Sequence, residues 1–426
     1  MRGVYVLLLI SLFGYAGRVG GQESVTITQC YEWARANYPQ IHQMGLIDQT
    51  ERYSLSNVGK AWLPQLSVSG KASYQSDVTK LPFDGDKISS LLPGFEIPSL
   101  SKDQYQVVAQ VDQTIWDGGS ARSARALTRA EATANREQLE SELYALNDRV
   151  NQLYFGCLLQ DELIRQNALL QKELQVNIER IEAMMENGVA NQSDLESMEV
   201  ELLNARQNEI ELKASRTVYR QMLATFINKP LTDQVVLKTP ESPERSLSTQ
   251  INRPELRALD AKSEWIETQN KQVTAGLMPR IGAFVQGGYG RPGLNMLEDS
   301  FEPYYVAGVR LSWNLGKLYT LKNDRRKIEV SRRQIDVQRE TFLFNTRLQL
   351  LRQNTEIKKM TDLMRADDDI IRLRTSIKQA AEVKLENGVI SVTDLIREIN
   401  AEDMARQTAA AHRVQRLMTI YNYMYT

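Results

Sequence analysis

Four stretches of the chain alternate apolar with polar residues, and most of the rest is periodic at a step of seven. From Leu66 to Gln75, Leu66, Val68, Gly70, Ala72 and Tyr74 interleave with Ser67, Ser69, Lys71, Ser73 and Gln75. From Gln104 to Trp116, Tyr105, Val107, Ala109 and Val111 oppose Gln104, Gln106, Gln110 and Asp112, with Val108 as the exception. Further on, Ile281, Ala283, Val285 and Tyr289 alternate with smaller or polar neighbours. Then Tyr305, Ala307, Val309, Leu311 and Trp313 alternate with Val306, Gly308, Arg310 and Ser312. A period of two predicts four strands of about ten residues, each with one apolar and one polar face.

The other stretches predict long helices. Leu343, Leu350, Ile357, Met364 and Ile371 form one row; Leu139/Leu143, Leu146/Val150 and Leu153/Cys157 form paired rows. Such rows pack helices side by side as in coiled coils. None of the twelve prolines lies between Ser99 and Lys229 or between Tyr304 and Thr426, and glycine is nearly absent from 120–187 and 317–387. Interior Pro and Gly cost a helix about 3 and 1 kcal/mol. Long helices are therefore expected over 120–187 and 317–387, return helices over 189–228 and 389–426, and an opening helix over 26–61. At about 1.5 Å per residue, one opening plus one return helix match one long helix in length. The segment 228–250, with Pro230, Pro240 and Pro243, is expected to form a belt at half height.

The two halves repeat. Asn37-Tyr38-Pro39-Gln40-Ile41 matches Asn252-Arg253-Pro254-Glu255-Leu256, and Ala61-Trp62-Leu63-Pro64-Gln65-Leu66 matches Gly276-Leu277-Met278-Pro279-Arg280-Ile281. Ile115-Trp116-Asp117-Gly118-Gly119 resembles Ser312-Trp313-Asn314-Leu315-Gly316. Glu186-Asn187-Gly188-Val189 with Asp194-Leu195 matches Glu386-Asn387-Gly388-Val389 with Asp394-Leu395. The organisation expected is a signal peptide over 1–21, a first repeat over 22–227, a linker over 228–251 and a second repeat over 252–426.

Residues 1–21 carry one positive charge, then Val4 to Phe13, then small residues ending Val19-Gly20-Gly21. This is the layout of a secretory signal, too short to span a bilayer as a helix. Cys30 has no lipidation box before it, so an unlipidated mature start is expected. No other run is apolar enough for a membrane helix. Two aromatic levels favour strands in a membrane over a soluble sheet: Trp62, Trp116 and Trp313 at the helix-side ends, Tyr74, Tyr105, Tyr289, Tyr304 and Tyr305 near the loop-side ends. Four strands cannot close a barrel, and an open edge cannot face lipid, so the barrel must be shared between chains; three copies give twelve strands.

Composition changes this picture little. Lys plus Arg number 52 and Asp plus Glu 53, a net charge of −1, which argues against nucleic-acid binding. The run Arg325-Arg326-Lys327 with Arg332-Arg333 is diluted by Asp324, Glu329 and Asp336 and reads as a solvated helix face. Two cysteines, Cys30 and Cys157, and two histidines, His42 and His412, cannot build a zinc site at ligand spacing. The cysteines read as buried unpaired thiols, with a lone disulfide as the other possibility. There is no nucleophile–base pair, phosphate loop or metal cluster, so neither enzyme activity nor a cofactor is expected.

These motifs in this order resemble the TolC-like outer membrane efflux protein family: the opening Asn-Tyr-Pro-Gln-Ile, Leu63-Pro64, Trp116-Asp117-Gly118-Gly119, Arg253-Pro254-Glu255-Leu256, and a Gly-Val-(four residues)-Asp-Leu turn in both halves. The resemblance spans nearly the whole mature chain. It implies a mainly α protein with a small β part: a homotrimer with a shared twelve-stranded barrel in the outer membrane of a Gram-negative bacterium, above a periplasmic tunnel of antiparallel helices. It implies the exit channel of a tripartite efflux or type I secretion system, joined to an inner-membrane transporter by a periplasmic adaptor protein. The alternative is a non-pore periplasmic coiled-coil adaptor or scaffold.

By the same resemblance, Asn187, Gly188, Val189, Asn387, Gly388 and Val389 form the periplasmic tips where the adaptor docks. Asp194 and Asp394 form the aperture, Asp394 in an acidic selectivity ring and Asp194 in links that hold the tip closed. Read from the residues alone, both aspartates serve equally well as helix N-terminal carboxylates. The chain departs from the family pattern at Arg397, where a second acid is common, and at Leu385 and Ile390, where some members carry a tyrosine and an arginine. The loop 77–103, rich in Pro and apolar residues, is expected outside the cell.

Overall fold

The computed structural model describes residues 24–79, 100–242, 251–296 and 298–426. The signal segment 1–21, most of the 77–103 loop and residues 243–250 of the linker lie outside them.

The elements follow in chain order. Strand β1 (Ser24–Val25) leads into helix α1 (Ile27–Asn37), then a 3-10 turn (Pro39–His42) and α2 (Gln43–Lys60). Strands β2 (Gln65–Tyr74) and β3 (Asp103–Trp116) precede α3 (Ser120–Tyr144), α4 (Leu146–Glu186) and α5 (Gln192–Ile227). After the short β4 (Val236–Leu237), the second half supplies α6 (Pro254–Ala275), β5 (Arg280–Arg291), β6 (Glu302–Ser312), α7 (Lys317–Glu386) and α8 (Val392–Met424). The four strands fall within three residues of the expected bounds.

Two expected helices are broken. The opening helix stops at Tyr38, whose φ/ψ of −64°/128° is extended. Pro39 imposes this, because its ring disfavours the helical region for the residue before it and it has no N–H to donate. The first long helix is interrupted at Ala145, where no proline or glycine stands, whereas its counterpart α7 runs unbroken for 70 residues.

The chain packs as two compact units, each drawing on both halves of the sequence. One holds α1, α4, α5, α8 and α7 from Leu343 onward. Its core gathers Cys30, Ala34, Val150, Tyr154, Phe155, Cys157, Leu223 and Ile227, so the paired heptad row on α4 is buried as its spacing requires. Strand β1 pairs in parallel with β4, tying the linker to the N-terminus. Buried Tyr154 places its hydroxyl 2.9 and 2.7 Å from the carbonyls of Val25 and Lys238, and buried Arg220 donates to the carbonyl of Thr232 at 2.9 Å. Cys30 and Cys157 are free and buried, and burial pushes both thiols up to about 12.

The other unit holds α2, the sheet, α6, α3 up to Ser141 and α7 up to Phe342. Ile266 of α6 packs on Ile328 and Ile335 of α7, and Arg136 of α3 reaches Asp48 of α2 at 2.7 Å. The sheet is antiparallel in the order β2-β3-β5-β6. Its sharp exit after β3 is set by Asp117, whose carboxylate accepts the N–H of Gly119 (2.8 Å) and Ala121 (2.6 Å), capping α3.

Gly118 has φ +67°, and a Cβ there would stand 2.6 Å from the Cβ of Met278 and 3.0 Å from the carbonyl oxygen of Pro279. Gly388 shares the left-handed backbone (φ +68°) with open space around it. Gly388→Ala should therefore cost only the backbone strain, about 1–2 kcal/mol, and Gly118→Ala clearly more. Chemical denaturation of the two variants side by side checks the order.

Candidate functional site

Register fixes what each face of the sheet presents. Leu66 pairs with Val111, Val111 with Val285 and Val285 with Ala307, so one row across the four strands is apolar throughout. The row through Val68, Ala109, Gly287 and Tyr305 repeats this, while the row on the other side carries Gln113 beside Ala283 and Val309. This face is open: Val68 is 69% exposed, Val309 70% and Tyr305 80%. A continuous exposed apolar surface of this kind marks a membrane or partner contact. Tyr74, Tyr105, Tyr289 and Tyr305 lie exposed towards one end of the strands, and Trp62, Trp116 and Trp313 at the other. The Trp313 indole donates to the carbonyl of Leu277 at 3.0 Å.

Tyr304 does not join the tyrosine level. It belongs to the opposite, polar face, where its ring covers Gly288 and its hydroxyl accepts from Gln106. Phe284, not singled out by the alternation, also lies there, over Gly308. Both fill the space that a glycine opposite leaves. Arg310 stacks on Phe284 with its guanidinium carbon 4.9 Å from the ring centroid, and stands 3.8 Å from Asp112. The remainder of this face is mostly Gln, Ser, Gly and Lys71, suited to water, with Val108 and Val306 as apolar exceptions.

Both outer edges of the sheet are open. Among the described residues, β2 pairs only with β3 and β6 only with β5.

The two hairpin turns match in detail. α4 ends with Gly188 at φ +73° and α7 with Gly388 at +68°. In each, the glycine N–H bonds back three residues and the following valine N–H five residues, all at 2.9 Å, the Schellman arrangement. The Asn187 side chain donates to the carbonyl of Ala183 and Asn387 to that of Val383, both at 2.7 Å. Val189 and Val389 are exposed.

Asp194 and Asp394 are each the third residue of a capping box. The Asn191 or Ser391 side chain accepts the N–H of the aspartate, whose carboxylate accepts the cap's own N–H at 3.2 Å. The Ser391 hydroxyl also donates to Asp394 at 2.8 Å, and these bonds hold the Asp394 carboxyl below the usual carboxylate range. Arg397 lies 3.5 Å away. Leu385 is buried in an apolar cluster with Leu395, Ile396 and Ile399, and Ile390 packs against it. Arg180 reaches Glu386 at 3.7 Å, linking the ends of α4 and α7.

Above the turns the helices enclose charge that the periodicity did not reveal. Lys378 of α7 pairs with Glu173 of α4 and with Glu402 of α8, the latter at 2.7 Å. Glu402, 3% exposed, also accepts from Thr375 at 2.6 Å and pairs with Arg406. Burial works against its ionisation, but the bonds from Lys378, Thr375 and Arg406 prevail and hold it down to about 2. Its neighbour Asp403 is pushed up to about 6 by burial. A Lys and two Glu on three helices carry no local motif by which sequence could have joined them.

Among the described residues no group of three His, Cys, Asp or Glu could hold a metal ion, and no helix is long and apolar enough to cross a membrane.

Residues 30–229 match the model of the outer membrane efflux protein family. No curated protein matches the sequence. Several solved structures share the fold. The channel CusC superposes with a TM-score of 0.67 at 14% identity, covering 94% of this chain and 91% of its own. The outer-membrane channel OprN gives 0.67 at 14%, covering 94% and 88%. The CmeC outer membrane channel of Campylobacter jejuni gives 0.64 at 12%, covering 94% and 84%. With the family match over its first repeat and the shared fold over both, the chain is similar to the outer membrane efflux proteins, a family of channels rather than enzymes.

Proposed function

We propose that three copies of this chain close a twelve-stranded barrel in the outer membrane of a Gram-negative bacterium. The assembly forms the exit of a tripartite efflux or type I secretion system. The observation that carries this reading is the four-stranded sheet: one apolar face between two aromatic levels, one polar face, and two open edges. Lipid suits the first face and water the second. Backbone groups at an edge cannot go unpaired in hydrocarbon, so β2 of one copy pairs with β6 of the next until the ring closes. A pore-less periplasmic adaptor has no use for such a sheet.

The N-terminal segment 1–21 directs export and is cleaved. The turns at Asn187-Gly188-Val189 and Asn387-Gly388-Val389 form the periplasmic end, where exposed Val189 and Val389 offer an adaptor protein a small apolar contact. The adaptor joins the channel to an inner-membrane transporter, which selects the cargo. Asp394 and Asp194 from three copies put six carboxylates near one aperture, a ring that favours cations. Asp394 is the stronger candidate because Ser391 keeps it ionised, and Arg397 beside it moderates the charge.

The test is conductance in planar bilayers. Wild-type trimers should give cation-selective steps that divalent cations block. Asp394→Asn, which keeps the Ser391 cap, should lose block and selectivity, and Arg397→Gln should strengthen both. Steps that neither substitution alters would move the selective ring away from Asp394. A chain that forms no trimer and needs no detergent would overturn the barrel.

A further inference from the structure

Where the polar face of the sheet meets the ends of α3, α6 and α7, a cavity of about 560 Å³ opens. Three cations border it: Arg280, Arg310 and Lys317. Two carboxylates border it as well, and both are engaged. Asp117 caps α3 through the N–H groups of Gly119 and Ala121. Asp112 accepts from Gln110 at 2.9 and 2.7 Å and faces Arg310. Among the described residues, Arg280 donates only to the Ser120 hydroxyl, at 3.2 Å. Among the described residues, neither Arg280 nor Lys317 forms an ion pair. Gly276 makes room for the lysine: its Nζ lies 3.0 Å from where a Cβ would stand. Phe284, already carrying Arg310, and Trp62 add aromatic wall.

We propose that this cavity binds small aromatic anions, the sulfonate, carboxylate or phosphate lying between Arg280, Arg310 and Lys317 and the ring against Phe284. Its volume suits one ligand of drug size. Guanidinium groups match such oxyanions with paired N–H donors; Asp117 is held by the α3 N–H groups, and Asp112, 3.8 Å from Arg310, shares that cation with the ligand and leaves Arg280 and Lys317 unopposed. Lining residues Ser312 and Thr114 supply further hydroxyl donors. The site rests on the channel reading only for its place: in the closed barrel this face lines the lumen, so the cavity would give passing anionic cargo a foothold there.

The experiment is calorimetric titration of the detergent-solubilised full chain with naphthalene-2-sulfonate, with neutral 2-naphthol as control. Wild type should bind the sulfonate and not the naphthol. Arg280→Gln with Arg310→Gln should weaken binding about tenfold, as loss of two partly exposed charge contacts implies. Arg310→Lys, which keeps the charge, should retain most of it. Circular dichroism and the trimer band on unheated gels confirm that each variant is folded. No sulfonate binding by wild type, equal binding by the double variant, or equal binding of 2-naphthol would each overturn the proposal. Binding by a chain that forms no pore in bilayers would leave the site standing and overturn the channel instead.

Discussion

Val285→Arg is expected to abolish trimers in the outer membrane. Val285 sits midway along β5, in the apolar row with Val111 and Ala307. In the proposed barrel that position would face the middle of the bilayer, where an arginine costs about 2–4 kcal/mol per chain. Three chains make the penalty roughly 6–12 kcal/mol, comparable with the whole stability of an ordinary domain. The neighbouring Gln286→Arg projects to the other face and should be tolerated. The comparison to make is the heat-modifiable trimer band of outer-membrane fractions carrying each variant. Trimers in equal amount from both would mean that the apolar face is not turned to lipid.

The second large effect concerns the buried charges of α8. Glu402→Gln removes the anion that Lys378, Thr375 and Arg406 share. Breaking a buried pair by removing one partner costs about 3–5 kcal/mol, and the low end applies because Lys378 keeps Glu173. The pH dependence follows from the signs. Glu402 is held down to about 2, from an ordinary 4.5. Its stabilisation is complete above about pH 4.5 and is lost as pH falls towards 2. Asp403 goes the other way, raised from 3.8 to about 6. Its penalty is absent below pH 3.8 and grows until pH passes about 6. Denaturation followed from pH 3 to 7 should show Asp403→Asn gaining stability above pH 5, and Glu402→Gln losing the wild-type fall below pH 4.5. Parallel curves for all three proteins would mean that these groups are not buried as described.

The sheet was legible in the sequence because alternation survives on both faces over about ten residues. The register was not read from the sequence; in the structure it aligns apolar residues across strands that share one face. Tyr304 and Phe284 escaped the same reading because their places depend on Gly288 and Gly308 across the strand pair, and alternation within one strand carries no cross-strand information. The break at Tyr38-Pro39 was present as a proline, and the length match between helices obscured it. The break at Ala145 has no local signal at all. The turns were legible as Asn-Gly-Val pairs, and the left-handed glycines match that reading. The ion network around Lys378 stayed hidden because charged residues on long helices usually meet water, and only the packing of three helices encloses them here. Asp194 and Asp394 were read both as caps and as gate; the capping boxes account for their place at the helix starts, while the gate depends on the neighbouring copies.

The two open edges have a consequence for biogenesis. An exported chain with this sheet folded but unpartnered carries an uncovered apolar face and two templates for strand addition through an aqueous compartment, the combination most prone to aggregate. In the proposed ring, pairing β2 with β6 of another copy ends that exposure, which would make folding and assembly one event for this region. Its stability then belongs to the ring and rises with the concentration of chains. For the proposed ring, a productive pathway would bring several chains together at the membrane before the sheet is complete.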